Sequence, residues 1–143
     1  MSGFEFPLTV KETFKGTEVN QKRKGTIAAI DIGTNSTHLV IASVNVELQT
    51  FTIDLAEKST TRLGERDLES GLLTDVAMNR VIDALRRFKD FALSYQVQDL
   101  IVAATSAVRE APNGLSFISR VKEELDLNID LISGAEEARL IYL

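Results

Sequence analysis

The apolar run Ala28-Ala29-Ile30 stops at Asp31. Ile32-Gly33-Thr34-Asn35-Ser36 then takes the chain through a glycine and small polar residues before Leu39-Val40-Ile41-Ala42 resumes. This pattern reads as a strand, a tight turn and a returning strand. The turn offers one carboxylate, a glycine that lets another group approach the backbone, and several hydroxyl and amide groups. Phosphoryl chemistry needs such a turn, because N–H groups and hydroxyls hold phosphate oxygens while a carboxylate anchors a hydrated divalent metal. The same residues also suit a plain hairpin, since Gly, Asn, Asp and Ser dominate turns for reasons of their own.

Composition narrows the function classes. The 143 residues suit about one domain with a real core. The formal net charge of -5 provides no basic field for nucleic acid or an anionic membrane. A phosphate site here must rely on local cations, backbone amides and metal. The absence of cysteine excludes disulfides and thiolate metal sites. No apolar run reaches the ~18–20 residues of a membrane span, and the N-terminus shows no signal-peptide core. A soluble, cytoplasmic protein is expected.

Residues 1–25 read as a leader. Phe4, Phe6, Leu8 and Val10 alternate, which suits a short edge strand or a loosely held tail, and Gln21-Lys22-Arg23-Lys24 forms a basic run. From Thr26 the pattern predicts strands at Thr26–Ile32, His38–Val46 and Gln49–Lys58, joined as an antiparallel meander. Arg62-Leu63-Gly64-Glu65 and Ser70-Gly71 mark a loop. Thr74 can cap a helix to about Tyr95, with Met78, Val81, Ile82, Leu85, Phe88, Ala92 and Tyr95 as its apolar stripe. Asp99–Ala104 reads as a buried strand. Pro112-Asn113-Gly114 breaks the chain, and a helix from about Leu115 to Glu124 carries Leu115, Ile118, Val121 and Leu125 on one side. A further strand, Asn128–Ile132, and a helix starting near Ser133 follow. The order βββαβαβα predicts an α/β fold, a five-stranded mixed sheet with helices on both faces. Ligands of such sheets bind beyond the strand ends near the switch point, where the connections after Asp31, Ala104 and Ile132 could converge.

Two of those connections carry further chemistry. In Ala104-Thr105-Ser106-Ala107-Val108-Arg109-Glu110, Thr105 and Ser106 supply hydroxyls and Arg109 a planar fork suited to phosphate oxygens. A hydroxyl-capped helical turn, with Arg109 solvated or paired to Glu110, is the structural alternative. In Ser133-Gly134-Ala135-Glu136-Glu137-Ala138-Arg139, Ser133 and Glu136 have capping-box spacing. Glu137 is left unexplained by the cap. It projects about 100° further round the helix, either as a base near the ligand edge or as a solvated glutamate favoured by the helix dipole.

Taken together, AIDIGTNSTHLVIA, TRLGE followed by GLLT, ATSAVREAPNG and LISGAEEARLIYL resemble the N-terminal lobe of the Ppx/GppA phosphatases. These are the exopolyphosphatases and guanosine pentaphosphate phosphohydrolases of the actin-like, ribonuclease H-like ATPase superfold. The resemblance covers roughly residues 26–143. It implies that Glu137 is the general base for the attacking water, that Asp31 lies near Mg²⁺ (or another divalent cation), and that Gly33, Thr34, Asn35 and Ser36 contact phosphate. It implies further that Thr105, Ser106 and Arg109 grip a polyphosphate chain or guanosine penta- or tetraphosphate. Water would attack the terminal phosphoanhydride and release orthophosphate. The family's second, C-terminal lobe would begin after Leu143, so these residues carry half of a cleft and the lobe alone is expected to be inactive. A homodimer is compatible with this reading. The rival readings are a non-catalytic polyphosphate- or alarmone-binding module and a fragment of an ATP-dependent kinase of the same superfold.

Overall fold

The computed structural model of the protein describes residues 24–136. The leader and Glu137 therefore lie outside the described residues, except that Lys24 and Gly25 already belong to the first strand.

The strands are β1 (Lys24–Ile32), β2 (Ser36–Asn45), β3 (Thr50–Thr60), β4 (Asp99–Ala104) and β5 (Ile129–Leu131). The helices are α1 (Asp75–Ser94), the short α2 (Ser106–Arg109) and α3 (Gly114–Leu125). They build the predicted five-stranded mixed sheet, in the order β3-β2-β1-β4-β5. β1 and β2 pair antiparallel, as do β2 and β3, while β4 runs parallel to both β1 and β5. β1 is thus the switch strand. Since β3 is antiparallel to β2 and β2 to β1, the C-terminal ends of β1, β3, β4 and β5 all reach the same edge of the sheet. Both strands of the first hairpin extend further than their apolar runs, and Ser36 falls within β2, so the turn contracts to residues 33–35.

Alternation along the strands divides the sheet into two faces. Ala28, Ile30 and Ile32 of β1 join Leu39 and Ile41 of β2, Val102 and Ala104 of β4 and Ile129 of β5 in one core with α1 and α3. Ile27, Ala29, Val40 and Ala42 are buried on the opposite face. Both long described helices pack on the first face. The helix expected from Ser133 begins with Gly134 to Glu136 and passes outside the described residues at residue 137.

α1 starts where its cap predicts, with the Thr74 hydroxyl accepting a hydrogen bond from the Ala77 N–H at 3.1 Å. Its stripe buries Met78, Val81, Ile82, Leu85, Phe88 and Ala92, but not Tyr95, which is 40% exposed. Tyr95 is the C-cap, still bonded through its N–H to the Phe91 carbonyl, and the helix has there run past the core, which ends at Ala92 on this helix. α3 shows a larger correction. Leu115 is 72% exposed and Phe117 is buried. The cause is Gly114: a β-carbon there would lie 2.0 Å from the Val108 carbonyl oxygen. The helix therefore enters with its Gly114 face pressed on α2, and the residues in phase with it are Phe117, Val121 and Leu125. No described helix is long and apolar enough to cross a membrane.

Leu85 is fully buried and Leu93, on the same helix, is 66% exposed. Leu85→Ala is expected to lower the unfolding free energy by about 2–5 kcal/mol, and Leu93→Ala to change it by less than about 0.5 kcal/mol. Chemical denaturation of both variants checks the orientation of α1, and equal effects would contradict it.

Candidate functional site

The β1–β2 hairpin closes with the Gly33 N–H donating to the Ser36 carbonyl at 3.0 Å, leaving Thr34 and Asn35 exposed at its tip. The tip is held from one side by the segment after β3. The N–H groups of Thr61 and Arg62 both donate to the Asn35 carbonyl, at 3.1 and 3.0 Å, and Gly64 N–H donates to the Thr34 carbonyl at 2.9 Å. A trans peptide is planar, with its N–H opposite its C=O. Pinning the Thr34 carbonyl on Gly64 therefore aims the Asn35 N–H away from that segment. Gly33 is taken up by the hairpin's own hydrogen bond, so its N–H is not among the groups the tip directs outward.

The second connection follows β4. Thr105 extends the parallel pairing by one step, its N–H facing the Ile32 carbonyl at 3.4 Å. Ser106 then opens the single turn α2. This is the helical turn the sequence allowed, but the Thr105 side chain makes no capping hydrogen bond to it. The Thr34 and Ser106 hydroxyl oxygens lie 3.5 Å apart. Two hydroxyls at that separation can both donate to one phosphate oxygen at ordinary O–H···O length.

The third connection follows β5. The Ser133 hydroxyl accepts from the Glu136 N–H at 3.0 Å, which is the serine half of the capping box. Arg109 ties this connection to α2: Nη1 donates to the Ile132 carbonyl at 2.5 Å, and Nη2 stands 3.9 Å from Glu110. A β-carbon on Gly134 would lie 3.8 Å from Nη2 of Arg109. Arg109 thus sits where the second and third connections meet, in a structural role as well as at the candidate site. Glu137, the expected base, lies outside the described residues.

Asp31 stands one residue before the end of β1, between His38 of β2 and Ala103 of β4 in the pairing register. It is half-buried, and alternation with Ile30 and Ile32 places it on the face away from α1 and α3. Among the described residues no three His, Cys, Asp or Glu side chains gather as a metal cage. One carboxylate at the sheet edge is a donor set that suits Mg²⁺, which keeps several waters and takes its remaining ligands from substrate phosphates. It does not fit a structural zinc or calcium site.

Residues 61–73, between β3 and α1, were legible in sequence only as a loop, yet they make the closest contacts to the hairpin tip. Their outer bend is organised by Asp67, whose carboxylate accepts from the Ser70 N–H and hydroxyl and the Glu69 N–H. The Ser70 backbone bond is the largest of the effects that hold the Asp67 carboxyl below its usual range.

Known proteins resemble this chain in sequence and in fold. Residues 41–143 match the model of the Ppx/GppA phosphatase family. Exopolyphosphatase 1 of Mycobacterium tuberculosis is 30% identical over 117 residues, covering 82% of this chain and 34% of its relative. A bifunctional 3-dehydroquinate synthase/phosphatase of Fusobacterium nucleatum is 33% identical over 120 residues, covering 80% of this chain and 18% of that protein. Among solved structures, an exopolyphosphatase from Cytophaga hutchinsonii superposes with a TM-score of 0.75 at 36% identity, covering 82% of this chain and 37% of that one. The Aquifex aeolicus member of the Ppx/GppA family gives 0.72 at 31% identity, covering 78% and 36%. The chain therefore spans about a third of the length of the exopolyphosphatases it matches. With the family match, the sequence identity and the superposed sheet in agreement, this chain belongs to the Ppx/GppA phosphatase family.

Proposed function

We propose that these residues form one lobe of a phosphoanhydride hydrolase that removes orthophosphate from the end of a polyphosphate chain. The observation that carries this reading is the meeting of two hydroxyl-bearing turns, Thr34 and Ser106, from different strands at one edge of the sheet. The relatives named exopolyphosphatases support polyphosphate as the substrate. Guanosine pentaphosphate presents the same terminal anhydride and would fit the same groups.

In this reading Thr34, Asn35, Ser36, Thr105 and Ser106 hold the non-bridging oxygens, and Arg109 adds positive charge at the junction of the turns. Gly33 keeps the tip narrow. Asp31 would hold Mg²⁺ through its water shell, and the ion supplies charge neutralisation for the phosphates. Glu137 takes a proton from water as the water oxygen bonds to the terminal phosphorus. The bridging P–O bond breaks, and a chain shorter by one phosphate leaves with the electron pair. Positioning and charge neutralisation supply most of the rate enhancement.

Glu136 and Glu137 separate structure from chemistry. Glu136 stands at the cap, and glutamine there can still reach back to the helix start. In the full-length, two-lobed protein Glu137→Gln is expected to lower kcat by at least ~10²-fold with little change in Tm, because the general base is lost. Glu136→Gln should mainly perturb the helix start. Paired kinetics and thermal melts decide the assignment, and loss of turnover in Glu136→Gln with activity kept in Glu137→Gln would reverse it.

A single lobe leaves a bound phosphate open to water on its far side. Residues 1–143 expressed alone are therefore expected to release negligible phosphate from polyphosphate in the presence of Mg²⁺. Robust release that Glu137→Gln abolishes would show that one lobe suffices.

A further inference from the structure

The segment between β3 and α1 makes a set of contacts that the hydrolase reading leaves unused. Besides its N–H groups on the Thr34 and Asn35 carbonyls, its Thr61 hydroxyl pairs with that of Thr37 at 2.9 Å. Both threonines are 0% exposed. Gly64 touches the hairpin tip so closely that a β-carbon would lie 2.3 Å from the Thr34 methyl. Two residues further, Arg66 Nη2 donates to the Ala107 carbonyl at 3.1 Å, inside the α2 turn that begins with Ser106. One short stretch of chain, residues 61–66, therefore grips both polar turns.

That stretch is itself held from α1. Arg80 Nε donates to the Thr61 carbonyl at 2.8 Å, and Nη2 pairs with Glu65 Oε2 at 2.8 Å. Between these anchors Arg62 has φ 50°, in the left-handed region. A non-glycine residue in that conformation is strained and persists when its surroundings over-determine it. The guanidinium fits the task because its donors are fixed in one plane, so it sets the carbonyl and the carboxylate at a defined separation. A lysine ammonium can satisfy one of the two but does not fix their spacing.

We propose that residues 61–66 are a spacer that sets the separation of the Thr34 and Ser106 turns, with Arg80 and Arg66 as its positioning residues. The ligand group that senses this separation is a terminal phosphoryl group, which both hydroxyls can reach at once. The inference rests on the phosphate reading of those turns and deepens it. A ligand that bridges two subsites gains from their fixed spacing, because the second contact is made within the complex.

The test compares ligands of two lengths on the full-length protein by calorimetry with Mg²⁺ present: a methylene-bridged triphosphate, which is not hydrolysed, and orthophosphate. Arg80→Lys and Arg66→Met are expected to weaken both ligands by about tenfold or more, since each presents a phosphate group that the two hydroxyls share. Gly64→Ala should act in the same way by pushing on the Thr34 methyl. Adding Thr34→Ser, which keeps the hydroxyl and removes the methyl, should restore most of the triphosphate affinity. No loss for either ligand, or no recovery on adding Thr34→Ser to Gly64→Ala, would overturn the spacer. Amide hydrogen exchange gives a second readout that needs no ligand. The Thr61, Arg62 and Gly64 amides should exchange about tenfold faster in Arg80→Lys, and unchanged protection there would also overturn it. If the unaltered protein binds neither ligand while these amides behave as expected, the phosphate reading fails and the spacing proposal falls with it, leaving only the brace as a structural fact.

Discussion

The pairing of β1 governs the rest of the molecule. Its antiparallel partner β2 and its parallel partner β4 lie on opposite sides, so the sheet changes character at this strand. That arrangement sends the ends of β1, β3, β4 and β5 to one edge. A one-residue slip of β1 would turn Ile30 and Ile32 out of the helical core and bring Asp31 into it. The buried register Ile30↔Leu39 and Ile30↔Val102 resists such a slip, because it sets apolar groups against α1 on the core face and leaves Asp31 on the other. The carboxylate at the sheet edge is placed by the hydrophobic residues on either side of it.

Polar groups at that edge are positioned by other polar groups. Thr37 and Thr61 are the buried polar side chains among the described residues, and they satisfy each other. Removing one partner would leave a buried hydroxyl without its bond, at a cost of about 1–3 kcal/mol. Asn113 works in the same way further along, its side chain both accepting from the Leu73 N–H and donating to the Leu73 carbonyl. The loop between β3 and α1 is thus fixed at both ends by side chains from other elements, and it fixes the turns in its place.

Much of this was legible in the residues. The hairpin around Gly33, the cap at Thr74 and the stripe from Met78 to Ala92 each follow from local chemistry that tertiary packing did not override. Phe117 was missed because its helix is oriented by Gly114, and a glycine gives no hydropathy signal for a close backbone contact. Tyr95 was counted inward because periodicity does not show where a helix ends. Arg109 was read as a phosphate fork, and its bond to the Ile132 carbonyl could not be foreseen because it depends on how β5 comes to lie beside β4. Arg80 and Arg66 drew no reading from the sequence. Each donates to a backbone carbonyl, which carries no sequence signature, and the Glu65 partner of Arg80 lies fifteen residues away on another segment.

The account stands on the Thr34 and Ser106 turns forming one phosphate-binding surface. Amide chemical-shift mapping on the full-length protein, titrated with the methylene-bridged triphosphate, tests this most directly. The expected result is a single cluster of shifted amides at residues 34–36 and 105–109, with little change along β2 and β3 at residues 43–52. Shifts confined to one turn, or centred on the β2–β3 end of the sheet, would contradict it.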